Sequence, residues 1–398
     1  MQQRYLFTSI FLILFAINAN AACPFPPGPV VPIYTIQDLQ NITWCLPAQG
    51  RTFKLQNDID ATGFPFEKIS NGFDGILDGR NPISGANYRI VNLQPRTDGG
   101  LIDSITESGV VKNLILENVI VYGGSDPTNS YGALVGVLGG QGRISNVSIT
   151  SGTITGKTPS YLGGLVGKML SGGIDNCMVS VALVPGKNAA YNGVLVGKQE
   201  GGIIDSSSSS GYIDLTGETK SNGGIVGQQS KTSTDIPVIT RSHSSTTIVL
   251  SNAITAIGNG VFAGSIDGKV TNCYSNGMVI NPTNPNARHI SGLFIGYLMN
   301  NGVVDKSYAT GKISNVDPNV DGFIGLTDPA NNDPSCTNSY WDTDTTGVPA
   351  GASAACSDGG RSTEDMQSSP TEDTFIGWDQ QKPPIWQFMA GSYPTLLP

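Results

Sequence analysis

Seven copies of a glycine-bracketed apolar block run through the chain, and their spacing restricts the fold more than any other feature. They are "GALVG" ending at Gly136, "GGLVG" at Gly167, "GVLVG" at Gly197, "GGIVG" at Gly227, "GVFAG" at Gly264, "GLFIG" at Gly296 and "GFIG" at Gly325, spaced by 31, 30, 30, 37, 32 and 29 residues. "GGLID", Gly99 to Asp103, is a degenerate earlier copy. A unit repeated every 20 to 50 residues or so cannot bury its apolar face alone and must stack on its neighbours. Short β-branched segments alternate with glycine in each unit, without the apolar period of a helix. A four-stranded propeller blade takes about 40 to 45 residues, whereas one coil of a parallel β-helix, three strands and three bends, fits about 30. The expected fold class is all-β: a parallel β-helix solenoid of about eight rungs, one for each block, spaced about 4.8 Å apart.

After each glycine block comes a second one: "VVKNLILENVIVYG", "RISNVSITSGTITG", "GIDNCMVS", "IIDSSSSSG", "KVTNCYSNGMV", "VVDKSYATGKI" and "CTNSYWD". The glycine blocks with these strands resemble the GLUG-motif repeat of bacterial surface and secreted proteins. The ending "NSYWDTDTTG", then "GRSTEDMQ", "TFIGWD", "IW" and "YPTL", resembles the tail common in those proteins, so the likeness covers roughly residues 99 to 398. It implies a right-handed coil, surface or extracellular placement and an adhesin-like role. Some members of that family carry a metallopeptidase domain beside the repeat. Here the two histidines, His243 and His289, form no H-E-x-x-H motif, so that module is absent, and His289 in "NARHI" reads as a surface loop residue.

The domain organisation expected is a signal peptide (1–21), an N-terminal cap with an irregular first coil (22–98), the repeats (99–341) and a capping tail (342–398). Gln2-Gln3-Arg4, the apolar run Tyr5 to Ile17 and Ala19-Asn20-Ala21 have the form of an export signal, and Tyr5 to Ile17 is too short to span a bilayer. "YTIQDLQNI" would cap the first rung, and Ser362 or Thr363 would start a short helix that closes the other end.

Six cysteines in an exported chain permit disulfides, and the local pairs are Cys23 with Cys45 and Cys336 with Cys356. Lipidation of Cys23 is the other reading of that residue. Cys177 and Cys273 occupy equivalent places three rungs apart, too far to bridge, and read as buried thiols. No Cys/His spacing suits zinc, and no cofactor is implied.

Twenty-two basic residues against 31 acidic ones, without a Lys/Arg cluster, lack the footprint of a nucleic-acid partner. Nothing after the signal is apolar for long enough to span a membrane. If Cys177, Cys273 and Ser307 point inward, alternation turns Tyr274, Tyr308 and Tyr340 outward in successive rungs. Such a ladder could stack on sugar rings, with Asn272 and Asn338 as polar neighbours, or simply shield the sheet. "DTDTTG" opens like a calcium loop, with Asp342, Asp344, Thr346 and Gly347, but its twelfth position is Ser353, so turn chemistry explains it better. Asp317, Asp321, Asp328 and Asp333 are the acidic candidates for glycoside cleavage. The function expected is non-catalytic recognition of an extracellular glycan or of a host or neighbouring surface protein; the alternative is a polysaccharide lyase or glycoside hydrolase.

Overall fold

The computed structural model describes residues 23–397 except 71, 97–98, 125–129, 157–160, 188, 216, 251–254, 281–287, 300, 315–319, 329–333, 350–355, 357 and 372. The expected signal peptide, Asp317, Asp333 and Ser353 therefore lie outside the described residues. The chain is a parallel β-solenoid of about eight turns, as the repeat spacing requires.

One turn shows how the sequence winds. Tyr161–Gly163 forms a strand, Gly164 and Leu165 make a corner, and Val166–Met169 forms a second strand. Gly173–Asp175 and Met178–Val184 follow as two segments of a third face. The next turn lies in parallel register beneath it, with Leu162 on Asn192, Val166 on Val196, Ile174 on Ile204 and Met178 on Ser208. Repeating this turn gives a seven-stranded sheet, an eight-stranded sheet and a long two-segment sheet of 25 strands.

The glycine block is the corner. A Cβ on Gly163 would run into the carbonyl oxygen of Val166, and one on Gly167 into the backbone nitrogen of Tyr131 in the preceding turn. The larger residue inside each block fills the core: Leu134, Leu165, Leu195, Ile225, Phe262, Phe294 and Phe323 are all fully buried. Burying each such side chain contributes about 1.5–3 kcal/mol, and the last three rings also stack, at 4.6 and 4.8 Å between centroids.

The long sheet bends once per turn at a residue with left-handed backbone. Asn113, Asn146, Asn176, Ser206, Arg241, Asn272, Lys306 and Asn338 have φ between 46 and 55°. Among residues with a side chain, asparagine is one of the most tolerant of this region, which explains its frequency in that column. The residue after each bend turns inward, and Cys177, Ser207, Ser242, Cys273, Ser307 and Ser339 share one buried column. The Ser207 hydroxyl there accepts from the backbone nitrogen of Cys177 at 3.2 Å, and that of Ser307 from the backbone nitrogen of Cys273 at 3.2 Å. The two cysteines are free and buried, and burial pushes the Cys177 thiol up to about 12.

Parallel stacking begins inside the segment expected as a cap: Val30–Ile33 pairs with Thr52–Leu55, which pairs with Ile76–Asp78, which pairs with Val110–Glu117. Helix α1 (Ile36–Asn41) interrupts this run, with Thr35 as its N-cap in a full capping box and Leu39 buried. Cys23–Cys45 and Cys336–Cys356 are both disulfides, closing separations of 22 and 20 residues, for each of which loop entropy predicts about 3 kcal/mol. His289 corrects the expectation of a surface loop: it lies in the strand Arg288–Gly292 and is 1% exposed.

The tail contains α2 (Thr343–Thr346), α3 (Thr363–Met366, with Ser362 as N-cap) and an antiparallel pair, Trp386–Gln387 with Thr395–Leu396. Its aromatic half does not stop at the end of the coil. It turns back along the outside of the long sheet, where Phe375, Trp378 and Trp386 pack on Tyr308 and Tyr340.

Candidate functional site

The outer face of the long sheet carries one continuous column of side chains, just after the bend. Pairwise register links Ser148 to Met178, Met178 to Ser208, Ser208 to His243, His243 to Tyr274, Tyr274 to Tyr308 and Tyr308 to Tyr340. The three expected tyrosines are thus in successive rungs. His243 stacks on Tyr274 at 4.7 Å and 4°, and Tyr274 on Tyr308 at 5.1 Å and 5°.

Two of the three do not face solvent as expected, and Tyr274 is partly covered. Tyr308 and Tyr340 are each only 3% exposed, because Phe375, Trp378, Trp386 and Tyr393 of the tail pack against them. The Tyr308 hydroxyl donates to the carbonyl of Pro394 at 2.7 Å, and burial raises its pKa well above the usual phenol value. Asn272 is committed as well: its side-chain oxygen accepts from the Trp386 indole at 3.1 Å and from Gln381 at 3.0 Å. The Asn338 carbonyl accepts from the Trp378 indole at 3.1 Å. An apolar aromatic face at rung spacing attracts other aromatics, and here they come from the same chain.

Asp342 anchors this cover and takes the place of the calcium loop considered above. One of its oxygens caps α2, accepting from the nitrogens of Asp344 (2.8 Å) and Thr345 (2.9 Å); the other accepts from the hydroxyls of Thr363 (2.7 Å) and Tyr393 (2.6 Å). Gly347 closes α2 in the left-handed conformation. Among the described residues there is no cluster of three or more metal-ligating side chains. Of the acidic candidates for cleavage, Asp321 accepts from the nitrogen of Phe323 at 3.0 Å, and Asp328 lies near Tyr297.

Beyond the tail, the same column lies open. A groove of about 570 Å³ runs over Ser148, Met178, Ser208 and His243, and Leu396 and Leu397 of the tail also line it. The bend residues Asn146, Asn176, Ser206 and Arg241 make one side, with Asp175. Met178 is 50% exposed, and Asp175 and Asn176 are exposed beside it. The Arg241 guanidinium is held by both oxygens of Asp205, with its Nε 2.8 Å from Oδ1. That ion pair fixes the planar Arg241 guanidinium at the side of the groove. Burial lowers the pKa of His243 and so favours its neutral ring.

Of the expected residues, Tyr308, Tyr340 and Asn272 are buried in the covered half of this flank, Tyr274 is partly covered and Asn338 is exposed, and sequence reasoning missed the open half. The signal was available in the column. "TRSHSS" aligns with "TNCYSN", which puts His243 at the tyrosine position and Arg241 at the asparagine bend. The 37-residue spacing around this copy obscured the match.

No family model matches the chain. Halomucin of Haloquadratum walsbyi is 32% identical over 150 residues, which is 34% of this chain and 2% of Halomucin, so the chain spans a small fraction of that protein. A crystal structure from Bacteroides ovatus, described as a "putative immunoglobulin A1 protease", aligns with a TM-score of 0.51 over 94% of this chain and 95% of its own, at 16% identity. That likeness concerns the fold alone. No helix among the described residues is long and apolar enough to cross a membrane.

Proposed function

We propose that this chain is an exported, surface-associated or secreted β-helix that recognises an extracellular glycan or a surface protein through the open flank of its long sheet. The groove over Ser148, Met178, Ser208 and His243 carries the reading, because it joins an exposed apolar side chain to a row of amide, hydroxyl and carboxylate groups on a rigid scaffold. The apolar run Tyr5 to Ile17 and two disulfides support export, and the GLUG-like blocks support an adhesin-like role.

The test is binding of the purified mature chain to intact cells and to extracellular material from its surroundings, compared with Met178→Arg. Arginine at this exposed position fills the groove without touching the core. Binding by the unaltered chain that is lost in Met178→Arg is expected; equal binding by both would overturn the flank as the site. Release of reducing ends or unsaturated products from polysaccharides would favour the lyase or hydrolase alternative.

A further inference from the structure

Between Met178 and His243 one position of the outer column, Ser208, lacks a large side chain. From Tyr308 towards the N-terminus the column reads Tyr308, Tyr274, His243, then Ser208, then Met178. The rings before the gap lie nearly parallel to one another, at 4° and 5°, with centroids 4.7 and 5.1 Å apart. One face of the His243 imidazole is on Tyr274. Its other face looks along the column over Ser208, whose hydroxymethyl group is too small to cover it. Met178 stands on the far side of the gap, two rungs from His243, and two rungs are roughly 9 to 10 Å. A ring placed over Ser208 would therefore sit at about one stacking distance from each neighbour, continuing the spacing of the column itself.

The geometry points to a slot over Ser208 that takes one neutral pyranose ring of an oligosaccharide, held between His243 and Met178. This rests on the reading of the flank as a recognition surface and names its ligand. The rim chooses a sugar over an aromatic ring, since Asn146, Asn176, Ser206 and Asp175 offer donors and acceptors around the slot, as ring hydroxyls need. Charge chooses a neutral sugar over an acidic one. Arg241 is bound to the Asp205 carboxylate, so the rim's one guanidinium is engaged, and Asp175 adds a second carboxylate. A uronate or sulfated ring would meet more negative than positive charge there.

Ser208→Tyr separates this slot from a merely small residue. The added ring completes the stack, so the variant keeps or raises its melting temperature while losing binding to neutral glycans. Met178→Arg serves as the second variant, in case the tyrosine does not fold. Both proteins and the unaltered chain are applied to an immobilised panel of neutral and acidic glycans, and to the cells used above. Neutral glycans bound by the unaltered chain and weakened about tenfold or more in both folded variants are the expected result. Groove-dependent binding of acidic glycans instead overturns the charge assignment. A blank panel with cell binding that Met178→Arg abolishes overturns the sugar and leaves the recognition surface standing. No binding to panel or cells overturns both.

Discussion

Two halves of one side-chain column meet at His243 and behave differently. Towards the C-terminus, Tyr274, Tyr308 and Tyr340 lie under Phe375, Trp378 and Trp386 of the tail. Towards the N-terminus, Ser208, Met178 and Ser148 have the same strand geometry, and the tail reaches only to Leu396 and Leu397 at their edge. The scaffold is the same, so the difference lies in the side chains. A continuous aromatic face draws an apolar cover, whereas a column broken by serine does not. Exposure along this flank is thus decided where the repeat departs from itself.

The largest expected effect comes from removing the cover. Trp386→Ala leaves a cavity in a packed aromatic cluster and is expected to destabilise the tail by about 3–5 kcal/mol. Limited proteolysis would then cut within 375–397 while the coil stays intact, and Tyr308 would become reactive to phenol-modifying reagents. Persistent protection of Tyr308 would show that the tail is not what buries it.

A smaller effect isolates one latch. Burial, and then the hydrogen bond to Asp342, push the Tyr393 phenol up to about 12. The folded chain therefore keeps this proton when the unfolded chain loses it near 10. Its contribution is complete below the ordinary phenol value and is lost as pH rises towards 12. Tyr393→Phe removes the hydrogen bond, at a cost of about 1–3 kcal/mol, and should flatten part of the alkaline fall in a pH series of denaturant melts. An unchanged alkaline slope would remove Tyr393 from the latch.

The smallest effect belongs to the junction. His243 has its pKa lowered by burial, so the unfolded chain protonates first as pH falls. Stability is unaffected well above the ordinary value of 6.5 and declines below it. His243→Gln should therefore lose less stability between neutral pH and pH 5 than the unaltered chain, as read from melting temperatures. An equal loss in both would assign the acid sensitivity elsewhere.

The coil itself was readable in the sequence because its constraints are local and repeated. The Gly163 corner, the Leu165 core position and the inward Cys177 and Cys273 each follow from short-range sterics and alternation. The tyrosine column was equally legible as a column. Its fate was not, since whether Tyr308 meets solvent depends on where Trp378 and Trp386, some 70 or more residues later in the chain, come to rest. Periodicity carries no information about such a return. His289 was misplaced for a related reason: "NARHI" follows a proline- and asparagine-rich stretch, and the strand begins inside it, at Arg288. His243 escaped notice because it stands in the 37-residue unit, where the repeat is least regular, and Ser208, in a regular 30-residue unit, because a small side chain in a run of serines marks no site.

The division of the flank can be observed directly by methyl NMR. The chain has seven methionines, and Met178 is half exposed in the open groove while Met366 is fully buried in the tail cluster. With ¹³C-methyl-methionine label and a neutral oligosaccharide that binds on the panel, the Met178 methyl and the His243 ring protons should shift in proportion to occupancy while the Met366 methyl stays in place. A shift at Met366 with Met178 unmoved at saturation would put the ligand on the covered half and contradict the open groove as the site.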